Sequence, residues 1–259
     1  LKNRFSRFAY PLSLLILVIC LWQYVSTNGL VAFWIIPSPL SVLRVFIDKY
    51  SLLLFHLRYT LQSTLIGFTL SLLIGIGFAL IMDASKVARK SLYPYMVISQ
   101  TIPIIAVAPL IIVWLGYGIS SKVFTVLLTC FFPITLNFFD GLSGVSIDKI
   151  RLLKSMGAGK ARTLWLLKIP EALPSLFTGL KIAATYSIMG AIIGEWLGGS
   201  GGLGIYMTRA AKSFNIDEVF AVILVIIIVS LSFFYAIKLA EQKLLNWINY
   251  NDDEYMDIQ

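Results

Sequence analysis

Ionised side chains are scarce in this sequence: Asp, Glu, Lys and Arg make up 13% of its 259 residues, and histidine occurs once. A soluble domain carries roughly 25% charged residues, so the chain has too little polar surface to cover a body of its size in water. Catalytic parts are equally sparse. His56 stands without a nucleophile and carboxylate in any recognisable set. Cys20 and Cys130 are the only cysteines, and each lies inside an apolar run. That placement argues against a disulfide framework and against a Cys/His metal site, and both read as small buried hydrophobes. Two glycine-rich stretches are also weak. Gly199-Ser200-Gly201-Gly202-Leu203-Gly204 fits the dinucleotide fingerprint but follows an apolar run instead of a strand, and reads better as a flexible turn. Gly157-Ala158-Gly159-Lys160 is followed by Ala161 where a phosphate loop needs Ser or Thr.

Apolar residues are plentiful, at 58% of the chain with a mean hydropathy of +0.86. Six apolar runs stand out, over 9–27, 57–82, 92–115, 121–142, 171–195 and 217–245. Each is near the ~20 residues that cross a bilayer as a helix. Segments of about ten alternating residues, the mark of a membrane β-barrel, are not visible. The sequence therefore predicts an all-α membrane protein with six transmembrane helices. Lys2, Arg4 and Arg7 precede the run Ala9 to Val25 as in a signal peptide, but no small-x-small cleavage site follows, and Ile19 spoils a lipoprotein box at Leu17-Val18-Ile19-Cys20. An uncleaved first span is expected.

The formal charge of +8 is distributed by position. With the N-terminus inside, Lys86, Arg89, Lys90, Lys149, Arg151, Lys154, Lys160, Arg162 and Lys168 fall in inner segments. The outer segments hold fewer cations, such as Arg44, Lys49, Lys122 and Arg209. The positive-inside rule then gives cytoplasmic N- and C-termini and no reason to invoke nucleic acid. Ile36-Pro37-Ser38-Pro39 predicts a stiff turn, and Leu40 to Tyr50 a short helix on the outer face. The chain divides into a first span with this outer helix (1–55), a five-helix core (56–247) and an acidic cytoplasmic tail (248–259).

The inner segment 141–170 carries the most information. Ser146 can cap a helix that starts at Ile147, and Asp148 suits its first turn. Ile147, Ile150, Leu153 and Met156 recur on one face, Lys149, Arg151 and Lys154 occupy the other, and Gly157 ends the helix. A second helix runs from Lys160 to Leu167, and Pro170 to Pro174 opens the fifth span. Such an amphipathic helix suits either a lipid headgroup layer or a groove on a cytoplasmic partner.

Ser155-Met156-Gly157-Ala158, Leu167-Lys168-Ile169-Pro170 and Ala172-Leu173-Pro174 together resemble the EAA loop of permeases from binding-protein-dependent ABC importers. Arg151, Leu152 and Leu153 stand where the family has the Glu-Ala-Ala that names the loop, so the resemblance implies the dock but does not fix its side-chain contacts. Ile36-Pro37-Ser38-Pro39, Gln100-Thr101-Ile102-Pro103, Ala108-Pro109-Leu110, Trp114-Leu115-Gly116-Tyr117-Gly118 and Gly194-Glu195-Trp196-Leu197-Gly198 resemble, in order, segments of the nitrate, sulfonate and taurine group. The Gln-Thr-Ile-Pro and Trp-x-Gly-Tyr-Gly variants are most similar to those of thiamine-precursor permeases. The resemblance implies a type I importer permease fold (MetI-like core) and a homodimer in the bacterial inner membrane. It also implies two cytoplasmic ABC ATPases and an external solute-binding protein. No cofactor is expected on this chain, ATP and Mg belonging to the ATPase. Coupling to the ATPase would fall on Ile147, Ile150, Arg151, Leu153, Lys154, Met156, Gly157 and Ala158.

Polar residues within spans are costly unless satisfied. Gln100, Thr101, Asn137, Thr185 and Tyr186, with Met189 one turn beyond Thr185, could bond between helices or line a passage. Glu195, beside Trp196, is expected at the outer mouth, fixing a gate or a docked binding protein. The passage so drawn offers amide, hydroxyl, thioether and aromatic groups, with Lys181 the nearest cation. That lining suits a flat hydrogen-bonding heterocycle, such as a pyrimidine precursor of thiamine, better than a sulfonate, taurine or nitrate anion. An ATP-independent carrier would be expected to show internal repeats and several intramembrane charges, which are not visible.

Overall fold

The computed structural model describes residues 2–196 and 199–247. The predicted tail 248–259 and Leu197-Gly198 lie outside these. Every described element is helical: α1 Lys2–Thr27, α2 Pro39–Asp48, α3 Tyr50–Ala84, α4 Lys86–Ser99, α5 Ile104–Leu115, α6 Ile119–Ser143, α7 Ile147–Ser155, α8 Lys160–Thr163, a π-helical turn Leu164–Lys168, α9 Ile169–Trp196, α10 Leu203–Lys212 and α11 Ile216–Leu244. Two compact units can be distinguished. The first is Leu1–Leu61 with Glu195–Ile228, and the second is Gln62–Gly194 with Val229–Gln259.

Among the described residues, four stretches are long and apolar enough to cross a membrane: Tyr50–Ala84, Ile119–Ser143, Lys160–Trp196 and Ile216–Leu244. The predicted third run is not one helix. It breaks into α4 and α5, bent by 104°, so the number rises to five only if this pair counts as one span. Pro103 explains the break. It has no N–H to extend the ladder, and it pushes the preceding residue out of helical space. Gln100 caps α4, Thr101 and Ile102 close tight turns onto Ile98 and Ser99, and Pro103 starts α5 at φ −62° and ψ 120°. With twelve residues, α5 covers only about 18 Å, short of a hydrocarbon layer of about 30 Å. The first predicted run is represented by a shorter apolar segment, Leu12–Thr27.

In the first unit, the predicted turn and outer helix form as α2. Ser38 Oγ accepts from Ser41 N (3.1 Å) and Pro39 occupies the first turn, the pairing that favours a helix start. Trp22 Nε1 donates to the Pro37 carbonyl (2.9 Å), tying α1 to this turn.

α6 is the centre of the second unit. Its Val126, Cys130 and Ile134 are fully buried, beside Ala183 and Ala191 of α9. The two helices approach closely because α9 presents glycine at the contacts. A Cβ on Gly179 would lie 2.6 Å from the Pro133 carbonyl oxygen, and one on Gly190 would lie 2.9 Å from Thr129 Oγ1. In lipid, where apolar side chains gain little by leaving the solvent, such close packing is what holds helices together.

The predicted short helix ending near Leu167 is replaced by a continuous helical stretch, Lys160–Trp196. Pro170 cannot donate to the Leu166 carbonyl and would crowd it. A π turn absorbs this: Ile169 N bonds back to Leu164 O, and the ladder resumes beyond both prolines.

Candidate functional site

The α4–α5 break, α6 and α9 enclose a cavity of about 770 Å³ within the second unit, in the range of small-molecule sites. Ile182, Tyr186 and Met189 project from one face of α9, at helical spacing. Asn137 and Asp140 share a face of α6, and Gln100 enters from the frayed end of α4. Gln100, Asn137, Tyr186 and Met189, all predicted from sequence, therefore meet in one place. Asn137 Nδ2 donates to the Pro133 carbonyl (2.8 Å). Thr101 and Thr185 are not part of the lining. Each hydroxyl turns back to its own helix, Thr101 to Ile98 O (2.7 Å) and Thr185 to Lys181 O (3.1 Å).

Tyr93, Thr129 and Asp140 also line the cavity, and sequence reasoning missed them. Asp140 had a readable signal: it lies three residues after Asn137 in an otherwise apolar run, hence on the same helix face. Lys181, expected only as the nearest cation to the passage, is not among the lining residues. Its ammonium contacts both carboxylate oxygens of Glu241, at 2.9 and 3.1 Å, and the Glu241 side chain is only 4% exposed. An ammonium committed to a buried carboxylate is not available to a passing anion.

The helix predicted over 147–156 forms largely as expected. Asp148 sits in the first turn of α7, although Ser146 makes no side-chain cap bond. Gly157 ends the helix at φ +81°, Ala158 N bonding to Leu153 O and Gly157 N to Lys154 O, both at 3.0 Å. This is a Schellman closure, which needs the left-handed conformation that glycine adopts freely. Lys149 Nζ bonds Glu171 Oε1 at 2.6 Å and pins α7 to α9, while Lys168 bonds Asp83 at 2.5 Å and pins the π turn to α3. The apolar face differs in detail from the predicted one. Ile150, Leu153 and Ala158 are half-buried, whereas Ile147, Leu152 and Met156 stand exposed among Arg151 and Lys154.

A separate polar cluster occupies the first unit. Glu195 is fully buried. Its carboxylate accepts from Thr60 Oγ1 (2.9 and 3.2 Å) and from Gly204 N (2.8 Å). Leu203 N donates to Thr60 Oγ1 (2.9 Å), and Gly202 N donates to His56 Nδ1 (3.2 Å). His56 stacks on Tyr206 with centroids 5.0 Å apart and 9° between planes. The Tyr206 hydroxyl donates to Glu218, which also pairs with Lys49. Burial first, then the hydrogen bond and charge of Glu218 and the charge of Asp217, push the Tyr206 phenol above its ordinary pKa and keep it a neutral donor. The 199–204 loop is thus clamped by Glu195, Thr60 and His56, while Trp196 remains 40% exposed.

Comparison with known proteins agrees with this architecture. The family described as "Binding-protein-dependent transport system inner membrane component" matches residues 67–246. The formylaminopyrimidine transport permease protein ThiX of Halalkalibacterium halodurans is 38% identical over 238 residues, covering 92% of this chain and 95% of its own. The putative aliphatic sulfonates transport permease protein SsuC of Bacillus subtilis is 28% identical, covering 90% of this chain and 85% of its own. The inward-facing MetNI methionine ABC transporter superposes with a TM-score of 0.57 at 21% identity, over 73% of this chain and 98% of that one, and so shares the fold. The chain belongs to the binding-protein-dependent transport family: it is a multi-pass inner membrane permease subunit of an ABC importer, and ATP hydrolysis lies with a partner subunit.

Proposed function

We propose that this permease passes an aminopyrimidine-like heterocycle, handed over by an external binding protein, through a pathway built from two copies of the chain. The observation that carries the solute class is the cavity lining. It combines the amides of Gln100 and Asn137, the rings of Tyr93 and Tyr186 and the thioether of Met189, with no lysine or arginine among the described lining residues. An anion in a low-dielectric passage needs a cation or aimed helix N-termini, and Lys181 is engaged by Glu241. The 38% identity to a permease named for formylaminopyrimidine supports the same solute class.

Both termini would be cytoplasmic, which places the 146–168 segment against two ATPases that bind ATP and Mg. Exposed Ile147, Leu152 and Met156 would dock into a groove on each ATPase, so that its closure on ATP moves α7 and, through Lys149 and Glu171, α9. The 199–204 loop would lie on the external side, where Glu195 braces it and Trp196 is free to meet the binding protein. In sealed cells, cysteines at Ser120 and Ser200 should react with impermeant thiol reagents, and one at Ser155 only after permeabilisation.

The direct test is uptake by proteoliposomes holding the permease, its ATPase and its binding protein. ATP-dependent uptake of formylaminopyrimidine, and none of taurine, is the expected result. Uptake of taurine or an alkyl sulfonate without pyrimidine uptake would favour the anion function that the sulfonate relative represents.

A further inference from the structure

Asp140 is the one carboxylate among the described residues that line the cavity. It lies near the end of α6, one turn from Asn137, and its side chain is exposed to the cavity instead of being packed away. A membrane helix does not place an ionisable group in such a position without cost. The obvious structural explanation would be a salt bridge. Arg89, on α4, is close enough to act on Asp140 electrostatically, but its guanidinium stacks over the Phe139 ring at 5.1 Å from the centroid. Among the described residues, no ion pair within 4 Å takes up the Asp140 oxygens, whereas in the same unit Asp83, Glu171 and Glu241 each hold a lysine and Asp148 meets Arg151.

We infer that Asp140 is a specificity residue that reads the amino edge of the solute, an assignment that rests on the heterocycle function proposed above. An aminopyrimidine presents an exocyclic N–H beside a ring nitrogen. A carboxylate accepts from the amino group, and when the ring nitrogen is protonated it accepts from both in parallel, which is the strong bidentate arrangement. The tyrosines of the lining offer flat surfaces for the ring, and the amides of Gln100 and Asn137 can meet its remaining polar atoms. The same carboxylate repels sulfonates and carboxylates, so one side chain both attracts the amine and rejects the anion. An oxo group in place of the amino group turns a donor into an acceptor, and an oxopyrimidine would set two oxygens against each other at Asp140.

The test uses the assembled permease–ATPase complex without the binding protein, so that only the permease chooses. Saturation-transfer NMR would compare formylaminopyrimidine with the analogue carrying oxygen in place of the ring amino group, and uptake would be followed in parallel with the binding protein present. Wild type should prefer the amino compound. Asp140→Asn should weaken its binding and uptake about tenfold, as for loss of a charge-assisted hydrogen bond, and should raise relative binding of the oxo analogue, because the new amide can donate to it. Asp140→Glu should retain the preference. Unchanged preference in Asp140→Asn, with a wild type active on the aminopyrimidine, would overturn the role of Asp140 alone. A wild type inert to every pyrimidine would overturn the solute class itself.

Discussion

Gly202 rests against the carboxylate of Glu195 so closely that a Cβ added to the glycine would stand 2.2 Å from the carboxyl carbon. The contact is possible only without a side chain, and Gly202 also holds φ at +136°, a region closed to other residues without strain. Sequence position suggests that Glu195 fixes a gate or a docked binding protein at the outer mouth. In the structure its carboxylate is fully buried, and the 199–204 loop folds onto it.

Gly202→Ala should therefore displace the loop or the carboxylate. The expected loss is about 1–3 kcal/mol from backbone strain alone, read as a lower melting temperature of the purified transporter. Thr60→Val should act in the same direction by about 1–3 kcal/mol, since it removes a donor to Glu195 and the acceptor of Leu203 N. Wild-type melting in both variants would show that the clamp contributes nothing.

The exposed apolar group on α7 gives a second prediction. Leu152→Asp should leave the fold and membrane insertion intact, because the side chain is 62% exposed. It should abolish uptake and solute-stimulated ATP hydrolysis by placing a charge where an apolar contact is needed. Leu153→Asp acts on a half-buried position and should lower melting temperature as well. Gly157→Ala meets no atom within 4 Å, so only the cost of the left-handed conformation applies, about 1–2 kcal/mol. Normal coupled ATPase activity in a well-folded Leu152→Asp protein would remove α7 from the coupling path.

Legibility in the sequence followed the physics of each feature. Gly157 was readable because a helix stop depends on local backbone conformation. The apolar runs were readable because lipid imposes a length on them. The bend between α4 and α5 was not, although Pro103 was in plain view: a proline in a long apolar run kinks or breaks a span depending on what packs around it. Pro170 erred in the opposite direction, suggesting a stop where a π turn carried the helix through. Asp140 was overlooked and the partner of Lys181 was not visible, because composition shows charge but not partners. Glu241, distant in sequence, neutralises Lys181, and only tertiary packing brings Asp140 to a cavity wall.

The Lys181–Glu241 pair separates a structural from a transport role. Removing the cation leaves a carboxylate with a 4% exposed side chain short of its lysine, and breaking a buried pair costs roughly 3–5 kcal/mol. The 22% exposure of Lys181 and any relaxation toward other donors place the expectation at the low end. Lys181→Met should thus lower the melting temperature, and adding Glu241→Leu should recover much of it. Solute preference should be unchanged in the double variant. A switch in preference, or loss of uptake with normal stability, would place Lys181 in the passage.

Gln100 closes the case for the cavity, because it sits where the helix gives way. As the cap of α4 it is the last residue before the turns that lead to Pro103, and it lines the cavity through this irregularity. Backbone released from a helix in a membrane is tolerated where it borders protein or a water-filled space, which is also where a solute can reach it. Gln100→Ala removes one amide from the lining and leaves the Pro103 break, α7 and the Glu195 clamp untouched. Uptake of the aminopyrimidine should slow by about tenfold or less, the range for one uncharged hydrogen bond, with KM moving more than the maximal rate. ATP hydrolysis should stay coupled. Gln100→Glu should be better tolerated for an aminopyrimidine than for any anion, since a second carboxylate reinforces what Asp140 already supplies. Equal rates for wild type and Gln100→Ala across a range of solute concentrations would mean that the solute passes elsewhere, and the cavity would then be a packing defect of a single subunit.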